Sequence, residues 1–245
     1  QIVIAKGHYN ILNLEINTPI TLIGEGYPIL DANFKGEILI VKANDVTITG
    51  IQFENVGQSS LQDWAAIKIH GVKNTQILNN KVYNTYFGIY LSDSESCIVR
   101  NNVLIGEPKN ELNTGNGVHA WKCDSLIIEN NYVKKHRDGY YFEFVTNTRA
   151  NNNYSFQNTR YGLHFMFSND DIYQDNTFEN NGAGVAVMFS KKIKMLNNIF
   201  KENWGTASYG LLLKEINDAE IIGNTFEENT IGINTEGSNR VVYKH

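Results

Sequence analysis

Hydrophobic residues along this chain come in short runs that alternate with polar ones and favour β-branched and aromatic types, as in "SLIIENNYV" and "KIKMLNNIF". No segment has the three-to-four-residue spacing of a helix face, so the runs predict short strands. The punctuation is regular. Asn80, Asn102, Asn131, Asn153, Asn176, Asn198 and Asn224 are 22, 29, 22, 23, 22 and 26 residues apart. Gly88, Gly117, Gly139, Gly162, Gly184, Gly210 and Gly232 keep step, each except the last standing 14 residues before the next of those asparagines. Insertions therefore fall between an asparagine and the following glycine. A period in this range means stacked supersecondary units. The predicted fold is all-β, a right-handed parallel β-helix (solenoid) with coils of about 22 residues, forming one domain over 1–245. The stretch from Ile20 to Gly57 fits the same architecture with looser coils. The asparagines are expected to form a ladder at one corner, satisfying buried backbone groups, and the glycines to be turn residues at another.

Side chains alternate along a strand, so the glycine-aligned register separates inside from outside. The first and third residues after each glycine, among them Ile89, Leu91, Phe142, Phe165 and Val187, are predicted to point inward. The second residues are Tyr90, His119, Tyr141, His164, Ala186, Leu212 and Asn234. The fourth are Ser92, Trp121, Glu143, Met166, Met188, Lys214 and Glu236. Both sets are predicted to face out. His164 and Met166 then share a strand and a face, about 7 Å apart at Cα, and Met166 and Met188 are neighbours on successive rungs, about 5 Å apart.

Composition narrows the functions. Net charge is −5 and no basic block occurs, which argues against nucleic acid. No apolar stretch is long enough to span a membrane. Gln1 leads straight into "IVIAKGHY", without the pattern of a signal peptide. Cys97 and Cys123 are the only two cysteines and have no metal-site spacing. Cys97 reads as a small inward residue and Cys123 as a strand-end residue near the outer patch. Thirty-four asparagines mark a turn-rich chain.

An outer face carrying two stacked methionines, a histidine and a tryptophan is not an ordinary solvated sheet, and large exposed apolar patches mark binding sites. Thioether with imidazole suits a soft metal, above all Cu(I), and flexible Met side chains can converge on one ion. The candidate metal ligands are His164, Met166 and Met188, with Glu143, His119 and Trp121 as further ligands or neighbours. Neutral imidazole is the ligand form, so copper affinity is expected to fall through the ordinary histidine range, about pH 6.5. The alternative is that a loop or partner covers the patch and the methionines pack against it. His119 also reads as a solvated surface histidine. Insertions at 106–115 and 204–210 lie beside this face, and per-repeat insertions often build the binding side of a solenoid.

Two rival readings share the fold. A polysaccharide lyase, hydrolase or epimerase would need paired catalytic groups. Asp170 and Asp171 read as turn residues, Glu143 lacks a carboxylate on adjacent rungs, and Lys122, Arg137 and Arg160 read as scattered. The chain is accordingly expected not to be an enzyme. A carbohydrate-binding module would stack sugars on Trp121, Tyr90 and Tyr141, but gains little from thioethers.

"LIGEGYPILDANFKG", "FGIYLSDSESCIVRNN", "RDGYYFEFV", "RYGLHFMFSND" and "GAGVAVMFS" together resemble the NosD family of accessory proteins for nitrous oxide reductase. The resemblance covers nearly the whole chain, and its specific part is the run of motifs in consecutive coils from Arg137 to Ser190. It implies a periplasmic protein that handles copper for the copper sites of nitrous oxide reductase. The implied partners are a NosL-type copper chaperone, NosF/NosY-type ABC transporter subunits and nitrous oxide reductase itself. Family members run longer, so the resemblance also implies that this chain stops short at "NRVVYKH".

Overall fold

A computed structural model describes residues 1–59, 61–108 and 114–245. The described residues form strands and turns with no helix. Three parallel sheets, of 11, 10 and 10 strands, run the length of the molecule, and each coil contributes one strand to each in turn. The upstream residues belong to the same stack, beginning with Ile2–Ile4, His8–Asn10 and Leu14–Ile16. The third sheet contains the glycine-aligned strands, and its register is the one the repeat predicts: Leu163 pairs with Val185, His164 with Ala186, Phe165 with Val187 and Met166 with Met188.

The core is a continuous column of inward side chains. Ile89, Leu91, Phe142, Phe165 and Val187 are all fully buried. Tyr173, from the first sheet, stacks on Phe165 with ring centres 4.5 Å apart.

The asparagine ladder stands between the first and second sheets. Asn102 Oδ1 accepts the Asn80 backbone N–H at 2.9 Å, and Asn102 Nδ2 donates to the Ile77 carbonyl at 2.9 Å. The same pattern repeats through Asn131, Asn153, Asn176, Asn198 and Asn224. Each rung satisfies backbone groups where the chain leaves the ladder of one sheet for the next. A second ladder stands at the next corner. Asn158 Oδ1 accepts the His136 N–H at 2.9 Å, and Asn181, Asn203 and Asn229 continue it. Their spacing of 23, 22 and 26 residues mirrors the first ladder and was there to be read.

Two expectations change. The aligned glycines are not turn residues. Gly139, Gly162 and Gly184 lie within strands Asp138–Glu143, Tyr161–Met166 and Ala183–Met188. A Cβ on Gly162 would sit 2.7 Å from the Gly184 carbonyl oxygen and 2.9 Å from Asn181 Nδ2, so close approach of coil to coil, not backbone conformation, demands glycine there. Asp171 is not a turn residue either. It is fully buried, in the inward column that includes Cys97, Leu126 and Thr148. One carboxylate oxygen accepts the Thr148 N–H at 2.8 Å, and the Tyr173 hydroxyl is the carboxyl's other polar neighbour. Burial pushes this carboxyl up to about 8, so it is protonated at neutral pH. Asp170 takes the left-handed turn instead (φ 59°), and its carboxylate meets Lys192 at 3.2 Å.

Candidate metal centre on the outer face

The outer face of the third sheet is built by strands Phe87–Ser92, Val118–Trp121, Asp138–Glu143, Tyr161–Met166 and Ala183–Met188. One outward column reads Tyr90, His119, Tyr141, His164, Ala186 and the next reads Ser92, Trp121, Glu143, Met166, Met188, each residue paired in register with the following one. All six candidate residues therefore occupy one patch. The structure distinguishes their surroundings.

His119 is engaged. Its ring stacks on Tyr90 at 4.6 Å and on Tyr141 at 4.9 Å, and its Nδ1 lies 3.1 Å from Asn116 Nδ2. Burial, then Arg137, holds its pKa down to about 3. Trp121 carries Lys122 Nζ over its ring at 4.1 Å. The Glu143 carboxylate accepts the Tyr141 hydroxyl at 3.3 Å. His119 lies between the faces of Tyr90 and Tyr141, which leaves its ring no free face for a sugar.

His164 is not engaged. It points outward, yet it is only 6% exposed, enclosed by Tyr161 at 4.8 Å and by Tyr141 at 5.2 Å, whose ring is near-perpendicular to its own. Neither ring nitrogen has a hydrogen-bond partner. A buried polar group without a partner costs about 1–3 kcal/mol; His136, fully buried, is orphaned in the same way, so what singles out His164 is its place on the outer face beside the methionines. Burial first, and then Arg160 and Arg137, push its pKa down to about 4. The ring is thus neutral, with a lone pair to offer, across the whole neutral range. This moves the expected pH midpoint for metal binding well below 6.5. Met166, two residues on, and Met188, its rung neighbour, are half-buried on the same face.

The arginines do not scatter. Arg137 and Arg160 each stand two residues before a glycine and are backbone-bonded across one rung at 2.8 Å. Between them lies the buried Asp138, whose carboxylate takes the Tyr161 N–H at 3.2 Å and meets Arg137 Nε at 3.4 Å. Repulsion from two guanidiniums acts on a cation at His164 as it acts on a proton, so the methionines form the more favourable side of the patch for a metal ion.

Cys123 is buried, its thiol donates to the Trp121 carbonyl at 3.4 Å, and burial pushes its pKa up to about 12, so it offers no thiolate to the patch. Among the described residues no group of three or more His, Cys, Asp or Glu side chains comes together for a metal. Residues 109–113 of the 106–115 insertion lie outside the described residues. In the other insertion, Trp204 is 62% exposed.

Sequence reasoning missed the column beside the methionines. Phe144, Phe167 and Phe189 follow Glu143, Met166 and Met188 directly and stack at 5.2 and 5.1 Å with their rings substantially in solvent. The signal was present: an aromatic recurs five residues after each of three successive aligned glycines.

Several solved structures share this fold. The A-module of the Azotobacter vinelandii mannuronan C-5 epimerase AlgE4 is 13% identical, with 99% of this chain and 84% of that one covered and a TM-score of 0.66. The periplasmic alginate epimerase AlgG (T265N mutant) gives 13%, 100%, 75% and 0.61, and the catalytic domain of a GH87 α-1,3-glucanase gives 11%, 99%, 61% and 0.57. These findings correct the expectation that the chain is not an enzyme: its fold is one that polysaccharide epimerases and hydrolases use. At these identities the likeness shows the fold alone. None of the curated proteins matches the chain. Among the described residues no helix is long and apolar enough to cross a membrane. The family described as "Periplasmic copper-binding protein (NosD)" matches residues 26–114 and 105–245, and the chain belongs to that family.

Proposed function

We propose that this chain carries copper as Cu(I) on the outer face of its third sheet, through His164, Met166 and Met188, for delivery into the copper sites of nitrous oxide reductase. The observation that carries the reading is His164: nearly buried, neutral, and without a partner for either ring nitrogen, beside two thioethers in direct register. Imidazole and thioether are the donors that favour Cu(I) over harder ions. Family membership supports the metal and the periplasmic setting. Glu143 supplies a negative neighbour, and Trp121 shields the patch from water. His119 serves the stack rather than the ion. A site with few ligands, on an accessible face, binds moderately and releases readily, as a carrier must. The cargo arrives from a NosL-type chaperone, and delivery depends on NosF/NosY-type transporter subunits.

The test is a Cu(I) competition titration of the wild type against His164→Ala, Met166→Ala and Met188→Ala, repeated from neutral pH to about pH 4. Each substitution is expected to weaken binding, with the two methionine changes outweighing the histidine change because of the nearby arginines. Wild-type affinity should hold through pH 6.5 and fall only near pH 4 (the His164 pKa). Wild-type affinity in all three variants would remove copper from this patch.

A further inference from the structure

The stacked phenylalanines present a surface that the copper reading does not use. Phe144, Phe167 and Phe189 sit at left-handed backbone positions (φ 55°, 50° and 52°) directly after their strands. The same position in the flanking coils holds Asp93, Lys122, Glu215 and Gly237, all polar or glycine. A bulky side chain in that conformation is unfavourable, and here each ring is also 40–44% exposed. The flanking coils turn the same corner without an aromatic ring. They border an open groove of about 510 Å³, lined also by Asn169, Lys191 and Glu215.

We infer that this ladder is the contact of a two-fold dimer of the chain, with the two solenoids antiparallel and the symmetry axis crossing Phe167. The charges on either side of the ladder select this occupant and this direction. Lys122 stands two coils before Phe167 and Glu215 two coils after it. An antiparallel two-fold places Phe144 against the second copy's Phe189, Phe167 against itself, and each Lys122 against a Glu215. In the adjacent column it places each Trp121 against a Lys214, a cation over an aromatic ring. A parallel two-fold would put Lys122 on Lys122 and Glu215 on Glu215, and like charges at close range oppose it. An isologous contact of this kind closes on itself and gives dimers, not filaments. The contact spans few coils, so the association is weak and concentration-dependent. It does not depend on copper, though it covers Met166 and Met188 and so would gate access to them.

Sedimentation of the copper-free chain up to about 1 mM tests it. A reversible monomer–dimer equilibrium is expected. Phe167→Glu, which sets a charge against its own copy on the axis, should raise the dissociation constant at least about tenfold. Lys122→Glu and Glu215→Lys should each weaken the dimer, and the two together should restore it, because the pair is remade across the axis. All three positions of change are exposed turns, and circular dichroism melts report whether each variant keeps the fold. A chain that stays monomeric, a dimer that Phe167→Glu leaves intact, or a double reversal no better than either single one overturns the inference. Because the dimer would cover Met166 and Met188, the copper titration is run far below the dissociation constant, where the chain is monomeric, and the two readings then stand or fall separately.

Discussion

His119 and His164 occupy the same outward column two rungs apart, and they have opposite fates. His119 is held between two parallel phenol rings and an asparagine. His164 meets Tyr141 edge-on, has no partner, and is followed in its column by alanine instead of an aromatic ring. The inner face differs too. Below His119 the inward neighbour is Ala120; below His164 it is Phe165, stacked on Tyr173. One end of the patch is a closed aromatic stack over a slim floor. The other is an enclosed imidazole without a partner over a bulky one. Identical repeat positions thus carry a structural histidine and a functional candidate, and the neighbouring rungs decide which is which.

The floor is the first place to break the comparison. Phe165→Ala removes a fully buried ring and its stacking partner's support, and should cost about 3–5 kcal/mol in denaturant melts. Val118→Ala, on the His119 side, deletes two buried methyl groups and should cost clearly less, about 1–2 kcal/mol. Equal losses would show that the two ends do not differ in their floors.

The buried carboxyl beneath the His164 end comes next. Asp171 keeps its proton in the fold up to about pH 8, whereas an unfolded aspartate releases it near pH 4. Between those values the folded chain binds more protons than the unfolded one, so this group makes stability fall as pH rises. Asp171→Asn keeps an acceptor for the Thr148 N–H and removes the titration. It should stabilise the chain at pH 8 by about 2 kcal/mol, allowing for an unpaired amide hydrogen, and lose that advantage below pH 4. A variant that melts parallel to the wild type across pH 4–8 would mean that the carboxyl is not protonated.

These two predictions rest on unequal legibility. Which residues point inward was readable because the glycine frame is constant and strands alternate, so Phe165 and His164 were separable from sequence. Asp171 was not, because "SNDD" places two aspartates at a coil's corner and only the register shows that the second turns inward while Asp170 takes the turn. The methionine pair was legible as a rung neighbour. The orphaned state of His164 was not, since it depends on Tyr161 closing over the ring. Arg137 and Arg160 were legible, standing equally before their glycines, but a frame that begins counting after the glycine passes them by. The phenylalanine ladder falls one place beyond the strand and was lost for the same reason.

Copper should separate the two histidines more sharply than stability does. Met166→Ala or Met188→Ala is expected to lower Cu(I) affinity roughly tenfold or more, about 1.4 kcal/mol, while His119→Phe leaves it unchanged. Competition with a chromophoric Cu(I) chelator reads both. Loss of affinity in His119→Phe equal to that in the methionine variants would place the ion in the stack and reverse the roles assigned to the two rungs.

The smallest effect concerns the stack itself. His119→Phe keeps a flat ring between Tyr90 and Tyr141 and gives up only the Asn116 contact, so its cost should stay near 1 kcal/mol. His119→Ala loses both stacking contacts, each worth about 0.5–1.5 kcal/mol, and should cost more than the phenylalanine change. Acid sharpens the distinction. The folded His119 stays neutral down to about pH 3, whereas the unfolded chain takes up a proton below pH 6.5. In that window the unfolded state binds more protons, so wild-type stability falls as the pH falls. His119→Phe removes this dependence, so its deficit relative to the wild type should vanish at about pH 6 and be reversed by about pH 4. A deficit that is the same at pH 7 and pH 4 would show that His119 is protonated within its stack, and that the tyrosines hold a cation there instead of a neutral ring.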